Sequence, residues 1–564
     1  MRRRIQPALY RLQLRESHLF AALTVLVGVL AGLGAVLFAV TIDLLNRAFF
    51  GIDPGAMRLF TMPVLVSIVA GILMHRTFRG VRGSGIPQTK EAYHLNDGMI
   101  SPMVPIGKFL LGTLAIGGGH ALGREGPSVQ IGAGLASVAG QWLNLPPERV
   151  RDLVPVGAAG ALSAAFNTPV AAVIFALEEI IGDMNATLLG STVVASVASV
   201  VVARSVLGNE PLFQVPPYHL EHPAELLAYA ALGIVGGIVS VFFCKSLLAL
   251  RGAFRRLPGW TIDWQPAIGG IGMGLILVVV PQMLGVGYDY VDRALNGGLL
   301  LDAAIILGVT KIAATVVSYA SGNPGGIFAP TLYIGAMTGA AVGIVMGRVA
   351  PFVPADPGAY ALVGMGAVFA GIVRAPLTSV FMIFELTQDY QIILPLMVAN
   401  LLSFYLSRQF QKLPLYHALL EQDDVHLPPA AGSPAAESRT AEDVMTLQFE
   451  MLPGETPIAD AAVMAPAGDG VHLVGEGREL IGIVDSETLQ AAIAAGRGAE
   501  SIRTLAEAPT VHAHPDHPID VLVERLAHSH GVLPVVSRAD AKTVVGIVTV
   551  ERIMHALRGA GAPR

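Results

Sequence analysis

Cysteine is almost missing from this chain: 564 residues hold one, Cys244. A lone thiol excludes an internal disulfide framework and a cysteine-built metal site, so Cys244 reads as a packing residue. Charge is the second scarcity. Asp, Glu, Lys and Arg make up 14% of the chain and hydrophobic residues 53%, where soluble domains carry roughly 25% charge; the mean hydropathy is +0.61. That balance excludes a soluble enzyme or a nucleic-acid binder and indicates a polytopic membrane protein. What charge there is lies unevenly, because 21 of the 42 acidic residues follow residue 420, so the net charge of −6 describes neither part.

Apolar runs lie near residues 18–43, 60–75, 186–207, 223–250, 266–284 and 390–406. Each meets or approaches the roughly 20 residues that cross a bilayer as a helix. Between 105 and 182, and again between 305 and 388, Gly-Pro and Asn-x-Pro steps interrupt the apolar pieces, which read as broken helices. No small-residue cleavage site follows a short apolar core, so no cleaved signal peptide is expected. Arg2 to Arg4, the basic loop at 76–82 and "RGAFRR" at 251–256 suggest a cytoplasmic N-terminus, and the tail is expected on the same side. The Pro-, Ala- and Ser-rich stretch at 421–440 reads as a linker. It divides a membrane domain, 1–420, from a small α/β domain, 441–564.

The membrane part repeats itself. A shift of 203 residues lays "GREGPSVQIGA" (123–133) over "GIFAPTLYIGA" (326–336) and Lys108 over Lys311; a shift of 207 pairs Pro169 with Pro376 and Glu178 with Glu385. The halves run from about 18 to 207 and from about 223 to 410. Duplicated halves with helix breaks at matching places point to a transporter-type site near the midplane. At "GSGIP" (83–87), "GREGP" and "GIFAP", a helix starts with its first N–H groups unsatisfied and its positive dipole end exposed. Such ends must face a ligand or a cavity inside a membrane. One Gly/Pro turn is as readily a plain connection; three, on a repeat, favour an anion site that needs no full positive charge.

These motifs, followed by "PLY" at 414–416, resemble the CLC chloride channels and chloride/proton antiporters over nearly all of residues 18–420. The resemblance implies an all-α membrane domain with an inverted internal repeat and broken helices, working as a homodimer; the compact loops and the absence of an organelle-targeting segment suggest a bacterial inner membrane. It implies that Ser84 and Tyr416 donate hydroxyls to a central anion, joined by the amides of Ile327 and Phe328. Glu125 matches the gating glutamate, which blocks an anion site when charged and swings away when protonated. Glu179 matches the inner proton-transfer acid of the antiporters, which channels of the family generally lack; the pair therefore favours chloride/proton antiport over a channel without proton coupling. Ser84 in place of Pro, with intact "GSGIP" and "GREGP", favours chloride over nitrate or fluoride.

Other charged residues are read more modestly. Arg124 favours anions at the outer mouth or pairs locally. Lys108 is either a structural partner or a source of positive potential for the pathway, and Lys311 is structural. His120 reads as a packed neutral histidine, and Glu385 and Arg374 as packing or helix-end charges. In the tail, "ELIGIVDSETLQ" (479–490) and "TVVGIVTVERIM" (543–554) repeat a strand-then-helix pattern that resembles a tandem pair of CBS domains. The ribose-binding Thr/Ser and Asp of that family fall at Asp485 and Thr488, then at Thr549 and Arg552; neither copy keeps the pair. A structural or dimerising role is favoured over an adenine nucleotide, and no other cofactor is expected. His512, His514, His517, His528 and His530 lack a clear ligand geometry for a metal. A membrane enzyme with a CBS tail is the distant alternative, and the H-E-x-x-H motif of a zinc protease is absent.

Overall fold

The computed structural model describes residues 16–184, 188–209, 222–349, 356–427, 440–464, 470–506, 511–526, 531–540 and 542–553, with isolated positions between them. It separates into two compact units, residues 1–425 and 426–564.

Among the described residues each half of the first unit comprises eight α-helices. The first half runs α1 (Glu16–Phe50), α2 (Ala56–Arg76), α3 (Ile86–Leu95), α4 (Met103–Gly117), α5 (Glu125–Trp142), α6 (Pro147–Phe166), α7 (Pro169–Phe175) and α8 (Leu189–Leu207). The second runs α9 (Glu225–Arg255), α10 (Gln265–Val279), α11 (Tyr288–Leu295), α12 (Leu301–Ala320), α13 (Phe328–Val349), α14 (Pro357–Val373), α15 (Pro376–Thr387) and α16 (Ile393–Phe410). A short α17 (Leu415–Gln422) follows. Six described helices are long and apolar enough to span a bilayer, including α12 and α13. The stretch 305–388 is therefore less fragmented than its prolines suggest. Pro127, Pro330 and Pro376 sit in the first turn of α5, α13 and α15, where the missing N–H is not needed and a proline starts a helix instead of cutting one.

Lipid-facing positions stay apolar, as Leu26, Leu33, Leu37 and Leu44 do along α1. Between helices small residues bring backbones together, the packing mode that lipid favours. A Cβ on Gly28 of α1 would stand 2.8 Å from the Ala195 Cα of α8; in the second half, one on Gly233 of α9 would stand 2.9 Å from the Ala399 Cα of α16. The same contact is thus built twice.

The halves also lock onto each other through equivalent residues. Gly123 and Gly326 exchange both backbone hydrogen bonds, each at 2.7 Å. Glu178 accepts from the Leu377 and Thr378 amides (3.3 and 2.8 Å) at the start of α15, while Glu385 on α15 accepts from the Val170 and Ala171 amides (3.0 and 2.7 Å) at the start of α7. Each carboxylate satisfies orphan donors where the helix dipole is positive. Glu385 is thus a helix-end charge, and its helix end belongs to the other half. Arg374 turns the chain through φ 64° and donates to the carbonyls of Ser407, Gln411 and Lys412. Cys244 is buried on α9.

The second unit is α/β. It opens with α18 (Ala441–Val444), then β1 (Met451–Pro453), α19 (Ile458–Met464), β2 (Val471–Glu476), β3 (Glu479–Asp485), α20 (Ser486–Ala494), α21 (Ile519–Leu526), β4 (Val532–Val536) and β5 (Val544–Thr549). Strand β2 pairs parallel with β1 and antiparallel with β3, and β4 pairs antiparallel with β5. The second strand of each hairpin buries alternate residues, Leu480, Gly482 and Val484 of β3 and Val544, Gly546 and Val548 of β5, whereas β2 and β4 bury continuous runs. Each hairpin leads into a helix, the repeated pattern legible in the sequence.

Candidate anion and proton pathway

Glu125 is the first residue of α5 and is fully buried. Its Oε1 accepts a hydrogen bond from the Tyr288 hydroxyl at 2.6 Å and stands 4.0 Å from Arg124 Nε. Its Oε2 has no hydrogen-bond partner and occupies the space a Cβ on Gly123 would take; the far side of that space is bounded by the Ala329 amide nitrogen of α13, 3.1 Å from the Cβ position. A side chain at position 123 would displace the carboxylate, which explains the glycine. The acid is thus folded back against the α13 N-terminus, whose dipole and orphan N–H groups suit a negative charge.

Ser84 lies in the turn ahead of α3, where Gly85 takes φ 104°. Its hydroxyl presses on the first turn of α5, 2.5 Å from where a Cβ on Gly126 would be. Tyr416 comes from α17 and is fully buried. Both hydroxyls, Ser84 Oγ and Tyr416 Oη, are buried without a hydrogen-bond partner. Buried donors are normally satisfied. Two that are not are free to donate to a ligand, and Ile327 and Phe328, where α13 begins, are buried as well. Tyr416 lies within electrostatic reach of both Glu125 and Glu179.

Glu179 lies on a π-helical turn, Ala176–Ile181, that continues α7. The wider turn separates the adjacent acids: Glu178 caps α15, whereas Glu179 is buried and takes a 2.7 Å ion pair from Lys90 on α3. Single π turns inside α-helices recur at functional positions. Lys90 is a residue that sequence reasoning missed; its only signal is a lysine six positions after Ser84, on the short helix that follows the Ser84 turn.

The remaining candidates are held as follows. Lys108 is fully buried and donates to the Gly83 and Val81 carbonyls at 2.6 and 2.9 Å. It therefore supports the Ser84 turn from behind. Lys311 does the equivalent for Gly285 and Val286. Arg124 lies over the Tyr288 ring at 5.8 Å and reaches the Ala165 carbonyl at 3.5 Å. His120 is buried between the hydroxyls of Ser67 (2.8 Å) and Ser318 (3.0 Å), a satisfied core histidine. Tyr288 is the second residue that was missed, since the stretch "GVGYD" lacks the Ile-Pro ending of "GSGIP".

In the tail, Asp485 caps α20 by accepting from the Thr488 amide at 2.5 Å, and the Thr549 hydroxyl accepts from the Arg552 amide at 3.4 Å. A cavity of about 480 Å³ is lined by Phe449, Glu450, His472 and Val532 among others. His512, His514 and His517 stack edge to face; among the described residues no group of three ligand-type side chains forms a metal site. His528 and His530 lie outside the described residues.

Comparison with known proteins covers both units. The family model described as voltage gated chloride channel matches residues 65–408, and that of the CBS domain matches 502–559. An H(+)/Cl(-) exchange transporter, ClcA, of Vibrio cholerae is 32% identical over 419 residues, 71% of this chain and 88% of the relative. The crystal structure of a slow cyanobacterial Cl-/H+ antiporter superposes with a TM-score of 0.66 at 27% identity, over 72% of this chain and 97% of that one. A eukaryotic CLC transporter structure superposes over 94% of this chain and 97% of its own, with a TM-score of 0.64 at 19% identity, which is a likeness of fold.

Proposed function

The chain belongs to the voltage gated chloride channel family, and from that premise we propose that it exchanges chloride for protons across a membrane. The observation that carries this reading is a pair of buried acids in one membrane unit, Glu125 set against the α13 N-terminus and Glu179 paired with Lys90, together with the buried, unpartnered hydroxyls of Ser84 and Tyr416. The antiporter names of the Vibrio and cyanobacterial relatives support it. No covalent chemistry is required. Chloride enters between helix N-termini and is held by Ser84 and Tyr416 with the amides of Ile327 and Phe328. Glu125, as a carboxylate, competes with chloride for the α13 N-terminus; once protonated it loses that attraction and yields the path. The proton it takes is passed inward to Glu179. A charge-neutral cluster of donors binds the anion firmly enough to strip water yet weakly enough to release it. The assembly is a homodimer in a bacterial inner membrane, with the N-terminus and tail in the cytoplasm.

Proteoliposomes loaded with chloride and diluted into low chloride test this, with chloride and pH electrodes read together. Chloride efflux is expected to drive protons inward against their gradient. Glu125→Ala is expected to abolish proton movement while chloride still flows. Chloride efflux from the unmodified protein without uphill proton movement would make it a channel and remove the proton role from Glu179.

A further inference from the structure

The second half carries its own version of the turn that presents Ser84. A shift of 203 residues lays Gly83-Ser84-Gly85 over Val286-Gly287-Tyr288 and Lys108 over Lys311. Both lysines are fully buried and, among the described residues, neither has a carboxylate partner. Each instead clamps carbonyls of its own half: Lys108 those of Gly83 and Val81, Lys311 those of Val286 (2.8 Å) and Gly285 (2.9 Å). Both clamped turns pass through a glycine with positive φ, Gly85 at 104° and Gly287 at 83°, into a short helix, α3 or α11. A buried ammonium is costly without partners, so holding these carbonyls is the work the lysines do. In the first half the product of that work is the placement of Ser84. In the second half it is the placement of Tyr288, whose hydroxyl donates to Glu125.

We propose that Tyr288 is a positioning residue for Glu125: its hydroxyl holds the ionised carboxylate in the retracted place against α13, and the Lys311-clamped turn aims it. This rests on the reading of Glu125 as the gate. The charged and titratable groups facing that carboxylate are Arg124 at the head of its own helix, Tyr288 from α11 and Tyr416 from α17. Arg124 lies over one part of the Tyr288 ring, and Phe213 meets the ring edge-on at 5.6 Å, so the aromatic side chain is held by packing independently of its hydroxyl.

That independence makes Tyr288→Phe a clean probe, since the ring and its contacts remain. A hydrogen bond to a charged group is lost, and only when Glu125 is ionised. The measurement is chloride flux through proteoliposomes as a function of pH. With the retracted carboxylate no longer held, the pH of half-maximal flux is expected to move towards alkaline by about one unit or more. The shift is expected to vanish in the Glu125→Gln background, where position 125 no longer ionises. A uniform change of rate at every pH with an unmoved midpoint would overturn the proposal, and so would an equal shift in the Glu125→Gln background. The readout is chloride alone, so failure of the unmodified protein to move protons would count against antiport and leave this test standing. An unmodified protein whose pH profile matches that of Glu125→Gln would instead count against Glu125 as the gate.

Discussion

Lys90 and Glu179 are the most exacting pair of charges in the membrane unit. Their 2.7 Å contact is almost closed to solvent, with side-chain exposures of 11% and 6%. Removing one partner of such a pair leaves the other buried and uncompensated, at about 3–5 kcal/mol, whereas removing both charges together is far less costly. Lys90→Met is therefore expected to lower the thermal unfolding midpoint in detergent markedly, and adding Glu179→Gln to it is expected to restore most of the loss. Additive losses from the two changes would mean the pair is not coupled. Glu125 is legible in the sequence because a charge among Gly, Ala, Val and Ile demands an explanation, and Glu179 only through its match to the family's inner proton-transfer acid, since two adjacent acids otherwise read as a solvated helix end. Lys90 and Tyr288 are not legible, because each acquires meaning only from a residue 89 or 163 positions away.

Among elements, the reciprocal capping of α7 and α15 is the device that makes two halves one body. Glu385 serves α7 through two amides and Glu178 serves α15 through two amides and the Thr378 hydroxyl (2.7 Å). A cap of this kind contributes roughly 0.5–2 kcal/mol, with a further share from charge at a positive helix end. Glu385→Gln keeps an acceptor and loses the charge, so its cost is expected at about 0.5–1 kcal/mol; Glu385→Ala, which loses both, is expected to cost more. Denaturant unfolding in mixed micelles would read both, and equal stabilities for Glu385→Gln and Glu385→Ala would show that charge alone matters. The repeat that pairs Glu178 with Glu385 is visible in the sequence, but its meaning is not: a shift of 207 residues says the acids are equivalent, and only the packed structure shows each reaching into the other half. Proline positions mislead for the same reason, because the same Gly-Pro step reads as an interruption along the chain and as a first turn in space.

For the whole molecule the question is where the transport unit ends. The cyanobacterial antiporter is almost used up by a match to less than three quarters of this chain, an extent close to the membrane unit. Within that unit the last structural ties are electrostatic. Arg251 of α9 donates to the Leu419 carbonyl (3.4 Å), to Gln422 (2.9 Å) and to Asp423 (2.7 Å), while Arg255 pairs with Asp423 (2.8 Å) and Asp424 (3.2 Å). These contacts fasten α17, and α17 carries Tyr416. A chain ended at residue 430 keeps every one of them and is expected to exchange chloride for protons at the full-length ratio. One ended at residue 418 keeps Tyr416 itself but loses the acceptors of Arg251 and Arg255. With its helix cut to four residues and unanchored, Tyr416 is no longer held in its buried place, and, if it serves the proposed pathway, proton movement per chloride falls sharply. Paired chloride and pH recordings on the two truncations decide the matter. A ratio already lost at residue 430 would make the CBS tail a working part of the exchanger, whereas a ratio kept at 418 would mean that Tyr416 needs no anchor.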